Sequence, residues 1–449
     1  MSMVAKVVSV LEKVLGHEVE ALAQQPAVIR RKRKFRGQSL LRMIVLTLWK
    51  KPQATFADMA VTAAQLGIPV SATAVEKRFT LPLVDFLQDA LNVALGQLLA
   101  AEPISGELLD RFTAFFIGDS TSIRLPDELQ HEFPGCGGSE GSGLAALKIQ
   151  VRWNLKTAEL PQVLIEVGKA SDAKSPIAQQ APLAGSLEIF DLGDFSLDRF
   201  RRLDAAQACF VSRLQHGTSV LDEQGQVLSL REFLPAREVR GVVDVPVQLG
   251  LQERLPCRLI AVRVPEEVAH RRRQKAREKA RKHGRELSAE YSELLGWSLF
   301  VTNLPPERLT WKEAVVLYRA RWQIELLFKL CRVVVFPEAH NQLARHRPGA
   351  SAVETMAMLW AKLIGVMLQH WLLLSAAWPD DRRSLFKAAR VLRDWIVALI
   401  EALDDHDQLL IIVTKLKNHL THVAKIQSRK NHPSHFQLLR NPELLNWTA

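Results

Sequence analysis

The sequence predicts an α/β protein: a catalytic core carrying a β-rich insertion, flanked by helical N- and C-terminal regions. Three observations lead there. Apolar, β-favouring runs at Phe112–Asp119 and Leu187–Asp191 each end in an acid, as a strand does when it delivers a carboxylate to a sheet edge. Alternating patterns at Glu238–Gln248 and Arg258–Val264 read as antiparallel strands. A helix begins after the Pro305-Pro306 breaker, with Thr310 and Glu313 as a capping box, and meets no proline or glycine before Pro337. The resulting division is 1–105, a helical N-terminal domain; 106–215, the first part of the core; 216–296, the insertion with a basic helix; 297–336, the second part of the core; and 337–449, a helical C-terminal region.

Composition bounds the function. The chain has 449 residues, 48% hydrophobic and 24% charged, with a net charge of +11, which favours a polyanionic partner. Cys136, Cys209, Cys257 and Cys331 are dispersed and form no C-x-x-C, so neither a disulfide framework nor a cysteine zinc site is indicated, and a reducing cytoplasm fits. The N-terminus lacks the apolar core of a signal peptide. Lys362, Gln369 and His370 interrupt the most apolar stretch, Met356–Trp378, which predicts a buried helix and no membrane partner.

Along the chain, residues 1–29 read as helical and are followed by the basic run Arg30–Arg36, either a solvated turn or a source of phosphate contacts. Thr55–Asp58 opens a helix that Gly67 closes, and Ser71 caps a second running to about Phe79; the pair reads equally as a helix-turn-helix or an ordinary helical hairpin. The glycine-rich segment 135–143 has no helix after it and no Lys-Ser/Thr ending, so it reads as a connection and not a P-loop. Strands are expected near 145–155, 162–167, 187–191, 208–213 and 298–302. Within the insertion, 271–285 is a helix with only Glu278 opposing its charge, and Arg271, Arg272 and Arg273 at its start point to DNA backbone contact. Of the histidine pairs His419/His422 and His432/His435, neither has a cysteine or carboxylate spaced to complete a zinc site.

The 310–332 helix carries the most pointed pattern. At about 100° per residue, Tyr318, Arg321, Glu325 and Arg332 fall within an arc of roughly 60°, while Val316, Ala320, Ile324, Leu327 and Cys331 form an apolar face. Periodicity alone is also satisfied by a solvated face with an Arg-Glu pair at i,i+4.

The spacing Y-x-x-R-x-x-x-E with a basic residue seven positions later, together with the words at Leu299–Pro305 and Tyr318–Glu325, resembles the signature of the insertion-sequence-four family of bacterial DDE transposases. The likeness covers about residues 40 to 375. Family members usually carry Lys where this chain has Arg332, an exchange that keeps the charge. The resemblance implies a ribonuclease H-like core in which Asp119, Asp191 and Glu325 bind two Mg2+ ions about 4 Å apart, with Mn2+ able to substitute. A following Gly-x-aromatic pattern favours Asp191 over the nearby Asp194. Asp119 would bridge the ions, Arg321 would clamp a phosphate, Tyr318 would hydrogen-bond a neighbouring phosphate oxygen, and Arg332 would take a similar positioning role. Arg30, Arg31, Lys32 and Arg33 join Arg271–Arg273 as DNA contacts. Trp297 would stack on a flipped base, against the alternative of a core tryptophan.

The implied activity is cleavage of double-stranded DNA at inverted terminal repeats and joining of 3′-hydroxyl ends to target DNA, by a homodimer in the bacterial cytoplasm. An inactive end-binding remnant and a nuclease without strand transfer are the competing readings. The intact acidic triad argues against the remnant, and Trp297 with the Tyr-Arg-Glu-Arg face favours strand transfer over simple cleavage.

Overall fold

Burial on both sides of a short strand organises the sheet. In the computed structural model, which describes residues 1–24, 28, 35–137, 144–335, 350–376, 382–426 and 433–445 (backbone alone at 173 and 331–335), strand β4 is only Leu187–Phe190, and all four of its residues are buried. Such a run needs cover on both faces, which is the setting of a parallel strand. It pairs in parallel with β1 (Phe115–Leu125) on one side and β5 (Cys209–Arg213) on the other. Beyond β1 lie β2 (Ala145–Asn154) and β3 (Glu159–Val167), both antiparallel. Beyond β5 come β9 (Trp297–Thr302), β8 (Leu255–Arg263), β7 (Val242–Leu249) and β6 (Val220–Leu221), giving one nine-stranded sheet in the order β3-β2-β1-β4-β5-β9-β8-β7-β6.

The insertion is therefore an extension of the core sheet. Strand β8 pairs with β9 from Arg258↔Thr302 to Arg263↔Trp297, and β9 pairs on its other edge with β5. Sequence reading placed antiparallel strands here correctly but could not see that they dock on the edge of the sheet they interrupt.

The period-two alternation of the strands divides the apolar residues between two cores. Phe115, Ile117, Leu187, Ile189, Val211, Val262 and Phe300 face the helices Trp311–Ala320 and Ala352–Ala376. Their chain neighbours Phe190, Phe210, Ala261 and Val301 face the other way, packing with Phe200 and Leu203 of the helix Leu197–Ala205. Phe200 stacks on Phe210 with ring centroids 4.3 Å apart and planes 8° from parallel.

The helices at the two ends of the chain share the first core. Ala352–Ala376 packs on Gly37–Lys50 and Leu81–Leu95, while Met3–Glu12 packs on His406–Val423. Two ion pairs cross the same boundary, Arg42–Asp404 at 2.6 Å and His406–Glu12 at 2.8 Å. Ala352–Ala376 is long and apolar enough to span a bilayer, yet 94% of its most apolar window is buried. Its Lys362 and His370 are buried too, and burial lowers them to about 8 and about 4.

The Thr55–Asp58 capping box, the left-handed Gly67 and the Ser71 cap all form as expected, but the second helix is only Ala72–Glu76. Arg78 and Phe79 close it with i→i+3 bonds, and Phe79 turns to pack on Phe56 at 4.9 Å. Five residues span only about 7.5 Å.

Truncating Phe210→Ala removes a fully buried ring from the Phe190–Phe200–Phe210 stack, and the expected cost is about 3–5 kcal/mol, measured as a lowered urea midpoint.

Candidate active site

Strand register brings the first two acids together. Ile117 of β1 is paired with Ile189 of β4, and both face the helical core. Two residues further along each chain, on that same face, stand Asp119 and Asp191. Asp191 follows the end of β4, as expected. Asp119 does not end its strand: β1 runs on to Leu125, because β2 pairs with it continuously from Phe116↔Asn154 to Leu125↔Ala145. Asp119 comes to an edge because β4 stops beside it.

The third acid arrives on a helix. The Thr310/Glu313 capping box starts Trp311–Ala320, and Arg111 ties Glu313 down at 3.0 Å. The single helix expected from 310 to 332 is two, since a second, Trp322–Val335, follows across Arg321. At the junction the Arg321 N–H donates to Tyr318 O and the Ile324 N–H to Arg321 O, a single tighter turn with helical φ and ψ at Arg321. Because the turn is tightened and not broken, Tyr318, Arg321 and Glu325 still share a face. Val316, Ala320, Ile324 and Leu327 are buried on the other, as predicted.

These elements converge on one guanidinium. Arg321 Nη2 donates to Glu325 Oε1 at 2.7 Å, Nη1 lies 3.6 Å from Asp119 Oδ2, and Nε lies 3.7 Å from Asp191 Oδ1. The acids remain reachable from solvent, with side-chain exposures of 25% for Asp119, 44% for Asp191 and 34% for Glu325. Burial pushes the Asp119 carboxyl up, with Asp191 and Glu325 adding to the shift, while the Ser120 N–H and Arg321 oppose it. Burial works against the Arg321 charge, but Asp191, Tyr318, Glu325 and Asp119 outweigh it and hold the group above its ordinary range. The Tyr318 phenol is raised by burial, and its ring meets Phe300 edge-on at 5.2 Å.

Three carboxylates present hard oxygen donors suited to magnesium-like cations. As they stand they surround Arg321, and among the described residues no three His, Cys, Asp or Glu side chains are gathered tightly enough to hold an ion. The donor set fits such a cation once the guanidinium moves aside.

Asp194 has a place at the site that sequence reading did not give it. It lines a cleft of about 200 Å³ with Asp119, Asp191 and Asp172. Burial lifts its carboxyl to about 6, with Asp172, Asp119 and Asp191 adding and Arg199 opposing. Arg199 belongs to a buried ionic group in which Glu188 pairs with Arg152 at 2.8 Å and with Arg199 at 3.4 Å. Arg152 also covers the Phe116 ring at 3.4 Å and Arg199 the Phe190 ring at 4.0 Å. No spacing in the sequence joins these scattered residues.

The expected DNA contacts fare unevenly. Arg30, Arg31, Lys32 and Arg33 lie outside the described residues, as does the side chain of Arg332. The basic helix is Glu266–Lys282, and Arg271 on it is exposed. Arg272 instead donates to Trp297 O at 3.0 Å and Ser298 Oγ at 3.1 Å, and Arg273 donates to Ser292 O at 3.1 Å and pairs with Glu266. Arg272 holds the helix on the sheet, and Arg273 ties it to the short helix Ala289–Leu294 that precedes β9. Lys275, Arg277, Lys279, Arg281, Lys282 and Arg285 join Arg271 on the exposed side.

Trp297 also departs from the stacking expectation. It is 5% exposed, in the second core, with Arg263 over its ring at 4.4 Å. As the first residue of a strand paired to β8, it is a wall of the cleft formed with Arg213, His216, Arg272 and Tyr291, and does not offer an open face.

Comparison with known proteins agrees with this geometry. The family described as Transposase DDE domain matches residues 110–347, from just before β1 to beyond the Glu325 helix. The chain belongs to that transposase family. It is 25% identical over 444 residues to the transposase for insertion sequence element IS231F of Bacillus thuringiensis subsp. israelensis, covering 92% of this chain and 89% of the relative. The corresponding IS231C protein of Bacillus thuringiensis subsp. berliner is 26% identical over 446 residues at the same coverage. The transposase for IS1151 of Clostridium perfringens is 24% identical over 316 residues, covering 66% of this chain and 64% of the relative.

Asp194 gives the site a pH signature. Its folded pKa of about 6 exceeds the ordinary 3.8, so the folded state binds the extra proton between those values and stability falls as pH rises through that window. Asp194→Asn is expected to flatten this slope, read as melting temperature from pH 4 to pH 7.

Proposed function

We propose that this chain is an insertion-sequence transposase of the insertion-sequence-four type, built on a ribonuclease H-like core. It would cut double-stranded DNA at inverted terminal repeats and join the 3′-hydroxyl ends to target DNA. The observation that carries this reading is the convergence of Asp119, Asp191 and Glu325, from two adjacent parallel strands and one helix, on a single point. Three acids separated so widely in sequence have no structural need to meet. Their mutual repulsion, already visible at Asp119, is the kind of cost that functional sites carry.

Asp119, Asp191 and Glu325 would hold two Mg2+ ions, with Mn2+ substituting. When bound, such ions supply activation of the attacking oxygen and charge stabilisation at the leaving 3′-oxygen. The chain's own groups do the positioning. Tyr318 and Arg321, beside the acids, hydrogen-bond and clamp phosphate oxygens next to the scissile bond, and Arg332 extends that grip along the same helix. The exposed side of the basic helix, from Arg271 to Lys282, with Arg285 just beyond it, holds the DNA backbone, and the run Arg30, Arg31, Lys32 and Arg33 adds phosphate contacts. The working unit is a homodimer, because two ends are synapsed before cutting, and the setting is the bacterial cytoplasm. Trp297, buried under Arg263 at the wall of a separate cleft, is not assigned to base stacking.

Incubating the protein and Mg2+ or Mn2+ with a linear fragment carrying its own gene and flanking DNA tests the reading directly. Ends with 3′-hydroxyls should appear at an inverted repeat, and Glu325→Gln should lower the yield by about 10²–10³-fold or more. Binding to those ends without metal-dependent cutting by the unaltered chain would sink the catalytic part.

The basic helix makes a separate prediction. Replacing Arg277, Lys279 and Arg281 with Ala should reduce the slope of log K against log salt for DNA binding by about 2–3, whereas Arg272→Ala should lower stability and leave the slope unchanged.

A further inference from the structure

We propose that Arg321 is the resident counter-cation of the acidic triad, displaced from it when a divalent ion takes the same carboxylates and thereby released to a DNA phosphate. This rests on the reading of Asp119, Asp191 and Glu325 as the ion-holding residues.

The charges set the competition. Three carboxylates and one guanidinium leave a net charge of −2 at a partly buried point, so the site is compensated only in part and retains its pull on cations. The guanidinium and an ion cannot share the position. Oxygen ligands must close to about 2.0–2.6 Å around a hard divalent cation, and Arg321 stands between the oxygens that would have to close.

The contacts are graded in a way that suits release. Of the three carboxylate contacts only that with Glu325, at 2.7 Å, is a hydrogen bond; those with Asp119 and Asp191, at 3.6 and 3.7 Å, are electrostatic without being bonds, and the Tyr318 phenol is the guanidinium's other hydrogen-bond partner. The side chain springs from the tight turn between two helices. Its backbone is held there by the Tyr318 and Ile324 hydrogen bonds whether or not the side chain moves. Swinging the guanidinium out requires side-chain rotations alone.

The consequence is coupling. While it is paired with the triad, Arg321 is not free to clamp a phosphate, and once an ion has replaced it the same side chain is available to DNA. Metal and DNA should therefore bind with positive cooperativity, each raising the affinity for the other by the same factor.

The test measures Mn2+ binding to the full chain without DNA, by the paramagnetic resonance of the free ion, for the unaltered protein, Arg321→Gln and Arg321→Lys. With the competitor gone, Arg321→Gln should bind Mn2+ about tenfold tighter, and Arg321→Lys, which keeps a positive charge, should fall between. Equal or weaker binding by Arg321→Gln overturns the proposal while leaving the triad as an ion site. Absence of Mn2+ binding in every form removes the triad reading, and the proposal with it. Should Arg321→Gln fail to fold, the unaltered chain still answers. The arginine Nε–H resonance that Arg321→Lys lacks should move on saturation with Mg2+, and an unmoved resonance overturns the displacement.

Discussion

The parallel pairing of β1 with β4, and its early end, is the constraint on which the site depends. Only three residue pairs, Phe115↔Leu187 to Ile117↔Ile189, join the two strands. Because side chains alternate, the next same-face positions are Asp119 and Asp191, and they emerge where β4 has no further backbone to offer. A one-residue slip would turn one of the acids to the opposite face of the sheet and drive Ile117 or Ile189, on the same strand, out of the helical core. Burial of the isoleucines therefore sets the positions of the acids. Arg321 then completes the arrangement from the helical side, held by a buried apolar stripe that allows its helix one rotation.

The insertion serves the same end by a different route. By pairing with β9, it makes Trp297–Thr302 an interior strand and secures the segment leading into the Tyr318 helix. Arg258 ties this region further, pairing with Asp244 and donating to the carbonyls of Leu304 and Leu309 just before the capping box. The basic helix is anchored by Arg272 to β9 and by Arg273 to the helix Ala289–Leu294, so its remaining positive charges are left facing outward. Two of the arginines that make the run look uniformly DNA-directed are its attachment to the protein.

Beneath the acids, the Arg152–Glu188–Arg199 group shows how charge is balanced away from water. Two guanidiniums against one carboxylate leave a single positive charge, and Asp194 faces it from the rim of the acidic cleft. Planar guanidiniums lying on Phe116 and Phe190 suit this role, since they combine stacking with charge pairing. Its carboxylate, Glu188, sits on the strand that leads into Asp191, so the group ties that strand to β2 and to the helix Leu197–Ala205.

The local pattern of the chain was enough to determine the strands, the capping box at Thr310, the apolar stripe through Ile324 and the i,i+4 pairing of Arg321 with Glu325, because each is set by neighbours a few residues away. The resemblance to a known signature singled out Asp119 and Asp191. Neither source could show that β1 passes Asp119 without stopping, that Arg272 turns inward, that Trp297 is covered by Arg263, or that Asp194 shares the cleft. Each of those depends on contacts between residues distant in sequence: β2 beside β1, β9 under the basic helix, β8 against β9, and the Arg199 helix behind β4. Periodicity reports which face of an element is buried. What buries it, and therefore which charges end up facing one another, was decided only when the sheet closed around its shortest strand.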